Sequence, residues 1–449
     1  MRASAPDLHR SIGLVRATAM VVGIIIGASI FVQPSAVTAQ VHSTGGALLV
    51  WITAGLLTLV GSLIVAELAS AFPRTGGVYV FLSESYSPAI GFLWGWAMFW
   101  TMHSGIVAVI AMVFARYVGT FVHITGAGEP LLAIASIAVF SWINYRGVRH
   151  GSAVQVVLTS IKVIALVAII AIACWIGLKH GGSFAATSAV AGTTSLPSTR
   201  EFGVALIAGL FAFGGWHMVS YAAEETIDPT RTIPRALLVG TLVVTALYVG
   251  VNAAYLYVLP LATVATSTRV AADFADVAIG GSGREIMAVL VILSALGAMN
   301  GVILAGPRVY LAMANDGLLF RWAGAVHPVY RTPHRAIVLQ GAWSSVLVAT
   351  GTYRALFTRV VYTEWIFFGL LAAALFLLRR RADYAPRYRI WGYPVLPALF
   401  VVSTAAIVVN QIIHEPFDSA LGLGLVLAGV PVYYAWARQK PLPTRSAHQ

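Results

Sequence analysis

The sequence predicts an all-α integral membrane protein with about twelve spans. Of its 449 residues, 59% are hydrophobic and only 10% are charged, and the mean hydropathy is +0.84. Soluble domains carry about 25% charged residues, so this composition excludes an aqueous fold. About 20 consecutive apolar residues cross a bilayer core, and the chain has room for about twelve such stretches between charged or turn-rich breaks.

We number the predicted spans one to twelve in chain order. They cover residues 12–40, 46–72, 89–121, 131–145, 154–178, 202–223, 236–258, 285–313, 336–351, 360–378, 395–413 and 421–437. Cytoplasmic loops carry an excess of Lys and Arg, which orients the chain. With the N-terminus inside, 20 of the 28 Lys and Arg fall in inside segments and seven fall outside, while Lys162 lies within span five. Twelve spans with both termini cytoplasmic preserve this bias.

Composition and motifs also exclude several other classes of protein. The net charge of +12 comes from basic residues scattered between apolar stretches, so it indicates membrane orientation rather than nucleic-acid binding. No H-E-x-x-H or similar spacing is present, and we expect no enzyme activity, metal or cofactor. The sequence shows neither the pore-lining ring that a channel would need nor the soluble effector domain that a sensor would need. The single cysteine, Cys174, allows no internal disulfide and is expected to be a small buried residue.

Two spans contain glycine-rich interruptions near their middle. Span one reads Gly-Ile-Ile-Ile-Gly-Ala-Ser-Ile-Phe over residues 23–31, and span six reads Phe-Ala-Phe-Gly-Gly-Trp over 211–216. Glycine lets the backbone leave the helix, and a membrane tolerates this only where the freed groups line a cavity. Such breaks at corresponding places in two halves indicate a transporter site. The alternative is that the small residues only let helices pack closely.

The two breaks open two units of five spans each, spans one to five and six to ten. Because five is odd, the second unit must cross the membrane in the opposite direction, which predicts an inverted repeat followed by two further spans. The corresponding segments are 1–11 (cytoplasmic), 12–178 (first repeat), 179–201 (outer loop), 202–381 (second repeat), 382–437 (spans eleven and twelve) and 438–449 (cytoplasmic tail).

A broken span offers N–H groups to a carboxylate and C=O groups to an ammonium. A zwitterionic amino acid carries both groups, so backbone alone could hold its constant part. The middle of spans one, three, six and eight contains no acidic residue, which favours a substrate with an uncharged side chain. A carrier of cationic amino acids or polyamines is the alternative, but it would need an acid at membrane depth, and only Glu364 in span ten is available.

Several motifs resemble one transporter family. Gly27-Ala28-Ser29-Ile30-Phe31 resembles the Gly-Ser-Gly-Ile-Phe signature of the amino acid, polyamine and organocation transporter superfamily. Further matches are Glu67-Leu68, Pro73-Arg74-Thr75-Gly76-Gly77 with Tyr79, Phe211 to Trp216 with Glu224-Glu225, Gly297-Ala298-Met299-Asn300-Gly301, and Gly306-Pro307-Arg308. Together they are most similar to the L-type amino acid transporter branch, over essentially the whole chain.

This resemblance implies a LeuT-like five-plus-five fold that carries small neutral L-amino acids by alternating access, without sodium, through exchange or proton-coupled uptake. The implied substrate-binding residues are Ile26, Gly27, Ala28, Ser29, Ile30, Phe211, Phe213, Gly214, Trp216 and Asn300. Gly27, Ala28 and Ser29 would surround the carboxylate. Ile26 and the carbonyls near Phe211 would receive the amine, Phe211 would act as a gate, and Trp216 would support span six. Phe211 and Trp216 could instead be ordinary packing residues.

Ser29 departs from the signature, which has its second glycine at this position. A side chain here narrows the approach to the backbone and adds a hydroxyl donor. The pose and the size limit of the substrate therefore depend on Ser29.

Lys162 is the most informative single residue. A cation at membrane depth costs about 2.5 to 3.5 kcal/mol on insertion scales, so it needs a partner and a role. In the resembled branch a lysine at this place occupies the position of a sodium ion, which implies contacts with the Gly23 carbonyl and Ser294. The alternative is that the side chain snorkels toward the cytoplasmic surface.

Other polar residues allow two interpretations each. We expect Glu67 to pair with Arg74 near the inner surface rather than to couple protons. His103 and His217 are expected to be packed neutral residues, although they could also line the site or titrate. Glu364 is a candidate proton relay, and Arg308 is expected to be a structural anchor.

The expected partners are a small amino acid and the lipid bilayer of a plasma or inner membrane. Animal members of the resembled branch bind a single-span subunit through a cysteine in the loop after span three. That loop, residues 122–130, contains no cysteine here, so no disulfide-linked heavy subunit is expected.

Overall fold

The computed structural model describes residues 8–124, 126–180, 197–280 and 283–437. Within these ranges the regular secondary structure is helical, apart from an isolated bridge between Ile12 and Thr226. Nine helices there are long and apolar enough to cross a membrane. They are Thr44–Ala71, Pro88–Val118, Val148–Leu178, Thr199–Glu225, Pro229–Val258, Glu285–Asn315, Arg359–Leu378, Val395–His414 and Pro416–Trp436. This agrees with the predicted all-α, multi-pass membrane protein.

The other three predicted spans fall on shorter or less apolar helices. Span one contains Leu14–Ile25, span four is Gly128–Tyr145 and span nine is His334–Thr350. The helix of span one has only 12 residues because the chain leaves the helix at the predicted interruption. Nine of the twelve predicted spans therefore coincide with described helices that are long and apolar enough to cross a membrane, and the full count of twelve stays a prediction.

Several spans are built from more than one helical segment. Span three consists of Pro88–Ala97, a π-helical turn Met98–Met102 and His103–Val118; span eight consists of Gly283–Ala305 and Pro307–Asn315; span twelve consists of Pro416–Leu427 and Gly429–Ala437. Shorter helices between spans are Val78–Ser85, Leu261–Thr266, Val270–Ile279 and the 3₁₀ turn Arg321–Gly324. Single π-helical turns occur frequently at functional sites, and this one directly precedes His103.

Span five and span six extend into the predicted outer loop 179–201. The span five helix continues to His180, and the span six helix begins at Thr199. Ser198 and Glu201 form a capping box there, in which each side chain accepts from the other's backbone N–H. Residues 181–196 lie outside the described residues, as do 1–7 and 438–449 of the predicted terminal segments.

The expected burial of Cys174 is wrong. Its side chain is exposed on the surface of span five, whereas the neighbouring Ala173 is only 3% exposed. Successive residues of a helix point about 100° apart, so a single apolar run contains both core-facing and lipid-facing positions.

Candidate substrate site

Both predicted interruptions are present. The helix Leu14–Ile25 is followed by Ile26, whose ψ of 86° is not helical, and the chain resumes as the 3₁₀ turn Ala28–Phe31. In span six, Thr199–Ala212 ends and the chain resumes as Trp216–Glu225 after Gly215, whose φ is +89°. A Cβ at Gly215 would lie 2.4 Å from Cγ2 of Ile24, so this residue must be glycine both for its conformation and for the contact between the breaks.

A cavity of about 600 Å³ lies against both breaks. Its lining includes Gly27, Ala28 and Ser29 of span one, and Phe211, Gly214 and Trp216 of span six. Most of its other lining residues are apolar, and Glu364 and Arg116 are its formally charged side chains among the described residues. Small-molecule sites are typically apolar cavities of about 300–1,000 Å³ with a few placed polar groups.

Lys162 directs its ammonium group at the broken backbone of span one. Its Nζ donates to the Gly23 carbonyl at 2.9 Å and to the Ile26 carbonyl at 2.7 Å, and the residue is only 4% exposed. Ser294 also donates to the Ile26 carbonyl, at 3.3 Å. Ser294 is thus linked to Lys162 through a shared acceptor rather than as the direct partner we expected. The buried, hydrogen-bonded position contradicts snorkelling toward the surface.

Gly297 makes room for this lysine. A Cβ at Gly297 would lie 2.7 Å from both Cε and Nζ of Lys162, closer than non-bonded atoms approach. Span eight therefore packs directly against the end of the Lys162 side chain.

Tyr248 of span seven connects the two breaks. Its hydroxyl oxygen lies 2.9 Å from the Ile25 carbonyl oxygen and 3.2 Å from that of Ala212. These are the last residues of the first helical halves of spans one and six. Sequence reasoning missed this residue; a buried tyrosine needs a hydrogen-bond partner, but the sequence does not indicate which one.

The second halves of spans six and eight are joined by a buried ion pair. Arg308 Nε lies 2.6 Å from Glu225 Oε2, and Nη2 lies 2.9 Å from Oε1, with both side chains at most 1% exposed. Arg308 also donates to the Leu304 carbonyl. The expectation of a structural anchor at Arg308 agrees with this geometry.

The loop after span two packs against the same end of span six. Gly76 N donates to the Tyr221 carbonyl at 3.1 Å, and Gly77 has a φ of +49°. A Cβ at Gly77 would lie 2.4 Å from Tyr221 Cδ1. Tyr79 follows, and its hydroxyl donates to Asp316 at 2.7 Å. Burial, followed by the Asp316 carboxylate, raises the pKa of the Tyr79 hydroxyl, so it remains a donor.

The expected pairing of Glu67 with Arg74 is wrong. Glu67 accepts two hydrogen bonds from Arg379, at 2.9 and 2.7 Å, and one from the Ile390 N–H at 2.7 Å. Arg74 instead pairs with Glu84 at 2.5 Å. The span two helix ends at Ala71, so Arg74 is on the following loop rather than on the helix face above Glu67.

Comparison with known proteins identifies the family. The family described as amino acid permease matches residues 12–434. This chain belongs to the amino acid permease family. The permease is 32% identical to the serine/threonine exchanger SteT of Bacillus subtilis over 437 residues, which cover 96% of this chain and 98% of that protein.

Two groups of animal transporters are similar to the permease as well. It is 31% identical to the Asc-type amino acid transporter 1 of Mus musculus, over 97% of this chain and 83% of the relative. It is also 31% identical to the large neutral amino acids transporter small subunit 2 of Homo sapiens, over 95% of this chain and 80% of the relative. The predicted family and branch are therefore confirmed, and the permease is an amino acid transporter rather than an enzyme.

Four of the predicted substrate-binding residues do not line the cavity of the permease: Ile26, Ile30, Phe213 and Asn300. Ile30 is fully buried. The Phe213 ring lies 4.9 Å from that of Tyr248 and 6.4 Å from that of Trp51. Residues two apart on a helix point about 200° apart, which is why Phe211 lines the cavity and Phe213 does not.

Asn300 and Ala298 are also two residues apart on a helix, and they therefore point in different directions. Ala298 lines the cavity, whereas Asn300 points toward spans four and five. Its amide accepts from Asn144 at 2.9 Å and donates to the Gln155 side chain at 2.7 Å. Asn300 therefore joins three spans, and Ala298 is a lining residue that the prediction left out.

The remaining candidates lie close together on spans three, six and ten. His103 and Glu364 line the cavity, and His217 lies behind Glu364, with its Nε2 3.7 Å from Glu364 Oε1. Both histidines are at most 1% exposed. The prediction identified these residues separately and could not place them together, because they come from three distant parts of the chain.

Proposed function

We propose that the permease is a sodium-independent secondary transporter of small neutral L-amino acids that works by alternating access, through exchange or proton-coupled uptake. The observation that carries the proposal is that the broken backbones of spans one and six face one cavity. The first N–H groups of a helix lack intrahelical acceptors, and its last C=O groups lack donors. A free amino acid is a small molecule that satisfies both ends at once.

The carboxylate is assigned to the start of the turn Ala28–Phe31, where Ala28 and Ser29 line the cavity. The Ile26 carbonyl already accepts from Lys162 and Ser294, which occupy both of its lone pairs. The ammonium is therefore assigned to the carbonyl groups near Phe211, at the end of the helix Thr199–Ala212.

Phe211 and Trp216 suit the roles of gate and support. Phe211 is 40% exposed at the cavity. Trp216 is 3% exposed, and its ring lies 5.1 Å from that of Phe368. An exposed ring can move to cover a substrate, whereas an enclosed ring fixes the position of the backbone that follows Gly215.

The absence of sodium coupling is assigned to Lys162. Its ammonium lies between the opened backbone of span one and Gly297 of span eight. It provides a fixed positive charge where a bound sodium ion would provide a removable one. A charge that does not dissociate cannot couple transport to a sodium gradient.

We propose twelve spans, with an inverted repeat and both termini in the cytoplasm of a cell that carries the permease in its plasma or inner membrane. On this topology the cavity extends outward past Arg116 and Gln411, and the Glu225–Arg308 pair closes the inner side. Cysteines introduced at positions 126 and 383 of Cys174→Ser protein should react with an impermeant maleimide from outside and from inside, respectively. The opposite pattern would contradict the topology.

A carrier of cationic amino acids or polyamines is the second candidate, because Glu364 lines the cavity. Counterflow of labelled L-serine into proteoliposomes, in choline buffer, tests the main proposal. Unlabelled neutral amino acids should compete, whereas their methyl esters and N-acetyl forms should not. Equal competition by the blocked forms would refute recognition of both backbone groups, and strong competition by L-lysine would favour the second candidate.

We further propose that the permease functions without a disulfide-linked heavy subunit. The chain has one cysteine, Cys174, and it lies on span five rather than in the loop after span three. Activity of the purified permease alone in proteoliposomes tests this proposal.

A further inference from the structure

A cluster of proton-carrying side chains lies beside the cavity. The Glu364 side chain is 14% exposed, and the Nε2 atom of the fully buried His217 lies 3.7 Å from its Oε1. Within the described part of the chain, neither ring nitrogen of His217 has a hydrogen-bond partner. Buried polar atoms normally have partners, so two unpartnered nitrogens beside a carboxylate need an explanation.

The surroundings of His217 suit both of its protonation states. Its ring lies 4.9 Å from that of Phe368, 5.4 Å from Trp216 and 5.6 Å from Tyr221. Aromatic rings pack well against a neutral imidazole and also attract a cation. The 3.7 Å separation exceeds a hydrogen bond, so the pair is not held as a fixed ion pair but is close enough to exchange a proton after a small movement.

Further unpartnered polar atoms continue the cluster. The Tyr221 hydroxyl and His103 Nε2 are buried and have no hydrogen-bond partner among the described residues. His103 Nδ1 lies 3.2 Å from the Tyr310 hydroxyl. Together these groups connect the cavity wall at Glu364 and His103 with the interior of spans six and eight.

Few other ionisable groups face this cluster. They come from four spans in the described part of the chain. Spans three and six contribute the most: His103, Arg116 and Tyr117 from span three, and His217 and Tyr221 from span six. Span eight adds Tyr310, and span ten adds Tyr362 besides Glu364. The polar residues that spans one and eleven contribute to the described cavity lining, Ser29, Gln33 and Gln411, are all uncharged. The only acid in the described cavity lining is therefore Glu364, and no arginine or lysine lies within ion-pair distance of it there.

We propose that Glu364 and His217 together bind one proton that crosses the membrane with the substrate. This inference rests on the proposed function. When the cavity closes around a neutral amino acid, an ionised and unpaired carboxylate would be costly to bury. Binding one proton to the pair removes the net charge, and the same proton leaves once the cavity opens on the other side. No other bond forms or breaks.

The parent protein provides the first test. Proteoliposomes in choline buffer, with a pH-sensitive dye inside, receive L-serine outside. We expect serine-dependent acidification inside, and accumulation of up to about tenfold for each unit by which the outside is more acidic. Serine counterflow at equal pH without either response would overturn the inference. Absence of counterflow under every condition would instead refute the proposed transport function.

Variants assign the response to the pair. In Glu364→Gln, the ratio of serine uptake with and without the pH gradient should fall to about one, and the dye signal should disappear. His217→Gln should weaken the same response and shift its pH profile. If Glu364→Gln is inactive, this second variant tests whether the pair binds the proton. Glu415→Gln, at an exposed acid at the start of span twelve, is the control and should respond as the parent does.

Two results would contradict the assignment. A gradient response equal to that of the parent in Glu364→Gln would remove Glu364 from the proton site, and the same result in His217→Gln would remove His217. If Glu364→Gln keeps the proton response but discriminates differently between L-serine and L-alanine, Glu364 contacts the substrate side chain instead.

Discussion

The ammonium of Lys162 lies 2.7 Å from the carbonyl oxygen of Ile26, the residue directly after the first helix of span one. The lysine therefore holds the broken backbone in its opened conformation. Because the cavity changes sides during transport, this contact must loosen and form again. We expect Lys162→Ala and Lys162→Met to insert normally and to lose most transport. Met keeps most of the length of the lysine stem. Equal losses of transport in the two variants would therefore show that the charge of Lys162, rather than its stem, is required.

Transport by the parent protein should be equal in sodium and choline buffers. Dependence on sodium would contradict the role of Lys162, and full activity of both variants would show that transport needs neither its charge nor its stem. Uptake of labelled L-serine, normalised to the amount of protein in the membrane, is the measurement.

Gly297→Ala tests the same contact from span eight. The added Cβ would lie 2.7 Å from Nζ and Cε of Lys162, so the flexible end of the lysine must move. We expect nearly unchanged folding and a loss of transport similar to that of Lys162→Met. Gly203→Ala is the control, because a Cβ there has no atom within 4 Å. Equal transport by the two alanine variants would show that the lysine tolerates displacement.

Ser29→Gly should extend the range of accepted amino acids toward larger side chains. Ser29 lines the cavity, and its Oγ lies 3.8 Å from where a Cβ of Gly27 would be, so the hydroxyl stands beside the opened backbone. Ser29→Ala removes the hydroxyl but keeps the Cβ, which separates size from hydrogen bonding. Competition of L-serine counterflow by amino acids of increasing size measures the change. An unaltered profile in Ser29→Gly would place the size limit elsewhere.

Tyr248→Phe should slow transport without unfolding the protein. The variant loses the hydroxyl that contacts the Ile25 and Ala212 carbonyls, but it keeps the ring packing against Trp51 and Phe213. One hydrogen bond contributes about 0.5–1.5 kcal/mol, which corresponds to roughly two- to tenfold in turnover. Tyr255→Phe in the same span is the control, because the hydroxyl of Tyr255 has no partner in the described residues. Similar rates for the two variants would argue against a connection between the breaks.

Glu225→Gln should destabilise the protein strongly. It leaves Arg308 buried without its charged partner, and breaking such a pair costs about 3–5 kcal/mol. The measurement is the thermal unfolding temperature of the purified protein in detergent. Glu224→Gln, at the neighbouring exposed position, should have a small effect. A normal unfolding temperature for Glu225→Gln would mean that the pair is not required for stability.

The sequence by itself determined the membrane class, the two interruptions and the presence of a lysine, Lys162, within a predicted span. The physical reason is that a bilayer provides no water to satisfy backbone or charge. Long apolar runs, glycines within them and a buried cation are therefore visible without knowing any contact. The motif resemblance supplied the family in the same way, because it depends only on residues that are close in sequence.

Only the tertiary structure decided which side chains meet. Ala298 rather than Asn300, and Phe211 rather than Phe213, line the cavity, because the rotation of each helix about its axis is set by its neighbours. Glu67 pairs with Arg379, 312 residues away, instead of with the nearby Arg74. Tyr248 reaches both breaks, and His217 approaches Glu364, through packing between distant spans. Such contacts depend on how helices far apart in sequence pack against each other, which a local pattern of residues does not encode.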